Sequence, residues 1–226
     1  MSKVWGSGLT LVLCLPTAVI AQPTKLLSTQ YVDCVTNAKG QPVASREVRT
    51  PVFTSKKGAR AFGVITASSL PLGACENRTT LYVAEPHNSF RLVYRQETEP
   101  DNAGSAYDGN GIEAIHWSPS GKRVFFQISQ WIWGSDGDGG RKHVVFTSGD
   151  HKARSISLIE TVWKQFKQEC TVRIETPGWI DDDRIKVEAH PFVDTSEEGA
   201  PPTLSCIQKP AKFSFNVDTG TYARLR

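Results

Sequence analysis

The sequence predicts an all-β protein built from three related antiparallel units, with one short helix between the second and third. Three observations lead there. A segment pattern recurs about every 63 residues, aromatic and β-branched runs alternate with turn-forming residues, and a single stretch carries helical periodicity.

The chain opens with a secretory address. Lys3 precedes the apolar run Leu9–Leu15, Pro16 breaks it, and Val19-Ile20-Ala21 sets compact residues before a cut at Gln22. The expected organisation is a signal peptide over 1–21 and one β-rich repeat domain over 22–226, with units at about 30–95, 108–155 and 169–226. A bilayer span takes roughly 20 mainly apolar residues, so this run is too short, and no transmembrane segment is expected after cleavage. Cys14 follows Val12-Leu13 rather than small residues, which argues against a lipoprotein. The expected location is periplasmic or secreted.

Units one and two resemble each other. Phe53–Phe62 resembles Trp117–Phe126, with Gly58 and Gly121 standing 63 apart. The strand-like runs Leu81-Tyr82-Val83 and Val144-Val145-Phe146 follow at the same offset, and so do Arg91 and Arg154. In unit two, Ser118-Pro119-Ser120-Gly121 is turn chemistry, since proline presets φ and glycine takes positive φ cheaply. The run Val124-Phe125-Phe126-Gln127-Ile128 then reads as a strand buried on both faces.

Next comes the helix. Ile156, Ile159, Trp163 and Phe166 recur at helical spacing, which predicts a helix over 156–168 with Ser155 as its N-cap. The third copy is looser: Trp179–Val187, then Phe213–Val217, then Arg224. Asp218-Thr219-Gly220 predicts a C-terminal hairpin, and Asp181-Asp182-Asp183 reads as an exposed turn.

Trp117-Ser118-Pro119-Ser120-Gly121-Lys122-Arg123 followed by an apolar strand resembles the repeat of TolB-like β-propellers, and the 213–225 hairpin resembles the outer strands of such blades. Unit one has Lys56 in place of the proline, and unit three an Asp run in place of the turn glycine. The resemblance implies propeller-blade-like units and protein partners. Propellers close with four to eight blades. Three units therefore predict an open or incomplete propeller, a sheet stack closed by the helix, or half of a dimer.

Without Cys14, four cysteines remain: Cys34, Cys75, Cys170 and Cys206. An even number in an exported chain reads as two disulfides, with three pairings open. Cys75 lies seven residues before Tyr82 and Cys206 seven before Phe213, so the repeat favours Cys34–Cys75 and Cys170–Cys206. Zinc is disfavoured, because there is no C-x-x-C pair and no suitably spaced histidine.

Signatures of catalysis are absent: no G-x-S-x-G, H-E-x-x-H or phosphate-binding glycine loop occurs. A formal charge of +3 with no dense basic block argues against nucleic acid. Glu113 and His116, on a strand entry, read as structural rather than metal-binding. Asn77-Arg78-Thr79 is a formal glycosylation sequon. The Gly-rich loop at 135–140 could offer Asp136 and Asp138 to Ca²⁺, but the ligand set is incomplete, so it reads as a turn and no cofactor is expected.

Trp131 and Trp133 bracket Ile132, which sets both indoles on one face of a strand. With Asp136, Asp138 and Arg141 they outline a binding rim on unit two, the unit without cysteines. The expected function is a non-catalytic exported module that binds another envelope or secreted protein, with oligomerisation open. The alternatives are a carbohydrate- or calcium-binding module and an exported hydrolase whose site has no local motif.

Overall fold

A computed structural model describes residues 32, 35–39, 41–69, 75–95, 108–132, 138–166, 170–192 and 204–225. Cleavage before Gln22, Cys34, Trp133 and Asp136 lie outside this set. A small hairpin, β1 (Val35–Thr36) with β2 (Pro42–Ala44), precedes three larger antiparallel sheets. Sheet I contains β3 (Arg46–Arg49), β4 (Phe53–Thr54), β5 (Arg60–Ser69), β6 (Cys75–Ala84) and β7 (Arg91–Arg95). Sheet II contains β8 (Asp108–Trp117), β9 (Arg123–Ile132), β10 (Asp138–Thr147) and β11 (Arg154–Ile156). Sheet III contains β12 (Val172–Trp179), β13 (Arg184–Pro191), β14 (Ala211–Asn216) and β15 (Thr221–Arg224).

Each sheet is an up-and-down meander, so the chain is an all-β, open propeller-like array of three blades. In sheet I the first strand is split. β3 and β4 both pair with β5, and Pro51, which has no N–H to give a ladder, lies in the break. Thr50 bridges the gap: its N–H donates to the Gly63 carbonyl at 2.9 Å, and its hydroxyl accepts from Gly63 N–H at 3.0 Å.

Sheet II lies between the other two and is apolar on both faces. Val124, Phe126 and Ile128 join Ala61, Ile65, Leu81 and Val83 of sheet I in one core. Phe125 and Val145, on the opposite pleat, join Ile185, Val187, Phe213 and Phe215 of sheet III in a second core. Where sheets I and II meet, a Cβ added to Gly63 would come within 2.1 Å of the Ile112 side chain, so glycine lets the two sheets close.

The first turn of each blade is built alike. The Ser55 hydroxyl accepts from Ala59 N–H at 3.0 Å, the Ser118 hydroxyl from Arg123 N–H at 3.1 Å, and the Asp181 carboxylate from Arg184 N–H at 2.8 Å. A side-chain oxygen at each of these 63-spaced positions closes the turn, and aspartate does in sheet III what serine does in the other two. The run 181–183 is therefore more than an exposed turn. Asp182 accepts from Ser120 N–H at 2.8 Å and Asp183 pairs with Arg123 at 3.0 Å, docking sheet III onto sheet II. Hydrogen bonds from Ser120, through its side chain and then its backbone, hold the Asp182 carboxyl below its ordinary range.

Two local expectations are corrected. The helix α1 runs Leu158–Phe166, and Ser157 caps it, its hydroxyl accepting from Glu160 N–H at 3.3 Å. Ser155 and Ile156 belong to β11, because their backbone pairs with β10. The buried helix residues are Leu158 and Val162, packed on the core of sheet III. Arg224 is not the third counterpart of Arg91 and Arg154: those two begin β7 and β11, whereas β15 begins with Thr221.

The C-terminal hairpin forms as expected, with Gly220 at φ 65° in its turn. Cys170 and Cys206 form a disulfide that ties the entry of β12 to the segment before β14. Among the described residues, no helix is long and apolar enough to cross a membrane.

Candidate functional site

Two features stand out: the seam between sheets II and III, and the outward face of sheet I. The seam lies along the β9–β10 end that the sequence outlines as a rim. There, Trp131 is the register partner of both Asp138 and Gly109, so the backbone brings Trp131 and Asp138 together. Arg141 pairs with Ser129 in the ladder, and its Nε–H donates to Glu113 Oε2 at 2.8 Å.

A β-bulge between Ile112 and Ala114 makes Glu113 the extra residue of β8. Its carboxylate accepts from Gln127 as well as Arg141, and Gln127 in turn accepts from the Thr176 hydroxyl of sheet III. Arg141–Glu113–Gln127–Thr176 is thus a polar chain across the junction of two sheets.

Two histidines flank this chain. His143, the ladder partner of Gln127, is 4% exposed and stacks on Phe125 with ring centroids 5.5 Å apart. Burial, with a smaller contribution from the Arg141 charge, lowers its pKa to about 3, so the ring is neutral at pH 7. Burial also lowers the pKa of His116. His143 Nε2 and the Ser129 hydroxyl are both buried without a hydrogen-bond partner. They therefore form no serine–histidine relay with each other, and the seam as built joins sheets by polar contacts rather than by a nucleophile and its base.

The outward face of sheet I was not singled out from the sequence. Register puts Phe62, Tyr82 and Leu92 in one cross-strand row, and Arg49, Val64, Thr80 and Arg95 in the next. Glu47, Thr66 and Arg78 form a third row, while Arg60 stands at the near end of β5. Phe62 and Tyr82 stack at 4.9 Å, Phe90 meets Phe62 edge-on at 4.7 Å, and the Arg49 guanidinium lies 3.5 Å above the Phe62 ring. Leu92 is 42% exposed beside them. The signal was present in β5 as alternation, with Ala61, Gly63, Ile65 and Ala67 facing sheet II and Arg60, Phe62, Val64 and Thr66 facing away.

The far end of the array is different. The outward face of sheet III carries Arg173, Glu175, Lys186, Glu188, His190 and Lys212, with no large apolar residue in those rows. Glu175, Glu188 and His190 converge within 4.8 Å of one another. Lys186 pairs with Glu188 at 2.7 Å, and hydrogen bonding from Lys186, then the Lys186 and Lys212 charges, pull the Glu188 pKa down, so Glu188 already has its cation. Asn77 of the sequon is 0% exposed and exchanges two hydrogen bonds with the backbone of Val32, which leaves no amide available to a glycan.

Comparison with protein-family models, with curated proteins and with solved structures finds no match.

Proposed function

We propose that the chain is an exported, non-catalytic module that binds another protein of the envelope or extracellular space. The observation that carries this reading is the contrast between the two ends of the array. Repeat arrays need end units with polar outer faces. Sheet III has such a face, whereas sheet I ends in stacked aromatics, arginines and an exposed leucine. Aromatic residues and arginine are the types enriched where proteins dock. The TolB-like resemblance of Trp117–Arg123 supports the same class of partner, and the Cys170–Cys206 disulfide is compatible with export.

Photo-cross-linkers introduced separately at Leu92 and Lys186, in the envelope fraction of the native host, test the reading. A discrete protein adduct from Leu92 and none from Lys186 is expected. Adducts from neither position, or turnover in a broad hydrolase screen, would overturn it. Export is checked by N-terminal mass spectrometry, with Gln22 expected as the first residue.

A second reading, binding of carbohydrate or Ca²⁺ at the rim of Trp131, Trp133, Asp136, Asp138 and Arg141, draws support from the pairing of Trp131 with Asp138. Its expected mark is loss of glycan or Ca²⁺ binding in Trp131→Ala with Trp133→Ala, at unchanged unfolding midpoint. A double variant that fails to fold would make the pair core residues.

A further inference from the structure

We propose that the outward face of sheet I docks an acidic segment of the partner protein, one that presents an apolar side chain flanked by carboxylates. The inference rests on the binding-module reading and names the chemistry of its partner.

The face is an apolar floor with arginines set over and around it. Phe62 is only 6% exposed although it points away from the core of sheets I and II, because Arg49 covers it and Phe90 abuts its edge. Arg60 is held in the same cluster, 4.9 Å from the Phe90 ring and donating to the Asn88 carbonyl at 2.9 Å. A guanidinium laid on a ring is fixed in position and still has in-plane N–H donors, the geometry that suits a carboxylate taken through two bonds. Among the described residues, no ion pair neutralises Arg49 or Arg60. Leu92, in the row of Phe62 and Tyr82, adds an exposed apolar contact on the edge strand β7.

Charge selects the occupant. Arg49, Arg60 and Arg95 share this face with Glu47 as the one described carboxylate side chain. The outward face of sheet III is more nearly balanced, with Arg184 paired to Asp181, Lys186 to Glu188, and Arg173 and Lys212 beside Glu175. Two copies meeting through sheet I would bring two positive faces together. That mode of self-association is disfavoured, and an acidic partner is the complementary one.

The experiment measures fluorescence anisotropy of a labelled heptapeptide, one leucine between two runs of three acidic residues, titrated with the mature chain. Saturable binding is expected, weakened about tenfold by Arg49→Gln and severalfold by Arg49→Lys, which keeps the charge but not the stacking plane. Lys186→Gln on the opposite face should change it less than about twofold, because an exposed charge on the far face is screened from this one. Should Arg49→Gln fail to fold, Leu92→Ser, at an exposed position, is the replacement variant, with a loss of several fold expected. No saturable binding, an equal loss in Lys186→Gln, or binding of phosphatidylglycerol vesicles without binding of the peptide would each overturn the proposal. A Leu92 cross-link without peptide binding overturns the acidic chemistry alone. Peptide binding without a cross-link overturns the module reading beneath it.

Discussion

Trp179 and His116 join two sheets through one hydrogen bond, the indole N–H donating to the backbone carbonyl at 2.9 Å. One junction earlier, Trp117 donates to the Phe53 carbonyl at the same distance. Both acceptors lie on the first strand of a blade, and by register each carbonyl already faces the next strand, His116 opposite Phe125 and Phe53 opposite Ala61. The indole therefore adds a second bond to a ladder carbonyl and ties one sheet to the next. Trp179→Phe retains most of the ring but removes the donor, and should lower stability by about 0.5–1.5 kcal/mol. Urea unfolding would show this as a lower midpoint at unchanged slope. An unchanged midpoint would mean that water replaces the indole at no cost.

Gly58 and Gly121 occupy matching turns with φ of 86° and 73°, yet their surroundings differ. A Cβ on Gly121 would sit 2.9 Å from Ser55 Oγ and 3.0 Å from Ser55 Cβ, whereas one on Gly58 meets nothing within 4 Å. Gly58→Ala should cost about 1–2 kcal/mol, the strain of a left-handed alanine. Gly121→Ala adds the displacement of the neighbouring turn, about 1 kcal/mol or more beyond that. Thermal unfolding of the two variants side by side checks the order, and equal losses would show that the Ser55 turn yields freely.

Sheet II was the most legible part of the sequence because its turn and strand use the residue types that the physics favours. Pro119 and Gly121 mark the turn, and Val124–Ile128 is apolar on both pleats because cores lie on both sides. The third blade was harder to read, since its turn is closed by the Asp181 carboxylate rather than by a serine hydroxyl and lacks the glycine. Arg224 misled because strand chemistry repeats on both sides of a hairpin turn, so spacing alone did not say which end of β15 it occupies. The seam was hidden for another reason. Glu113 owes its role to a bulge, and a bulge leaves no mark in composition or alternation. Of the outlined rim, Arg141 can be followed to its partner Glu113, and Trp131 and Asp138 to their shared place in the ladder.

Cys170 and Cys206 are 36 residues apart in sequence, and their bond closes a loop that contains β12 and β13. In the chain-entropy model such a closure stabilises by up to about 4 kcal/mol, mainly by restricting the unfolded chain. Cys170→Ala with Cys206→Ala should therefore lower the unfolding midpoint strongly, and reductant should lower that of the unmodified chain. Non-reducing peptide mapping of the same protein tests the expected Cys34–Cys75 pair. Recovery of a Cys34–Cys170 or Cys75–Cys206 peptide would overturn both pairings.

His143 makes stability fall with acid, and the sign follows from its burial. The folded-state pKa is lowered to about 3, against an ordinary value of 6.5, so between these values the unfolded chain takes up a proton that the folded chain refuses. The stabilisation from keeping this ring neutral is complete above about pH 6.5. It is lost progressively as pH falls toward 3, at up to about 1.4 kcal/mol per pH unit for one group. His116, lowered by burial as well, acts in the same direction. Its ring stacks on Phe125 from the other side, with centroids 6.4 Å apart, so protonating either histidine puts a charge against the same aromatic at the sheet II–III junction. His143→Gln cannot take up that proton, and its urea-derived stability should be flatter between pH 6.5 and 4 than that of the unmodified chain. If the two pH profiles run parallel, His143 is protonated in the folded state as readily as in the unfolded one, and the seam is wetter than its burial implies.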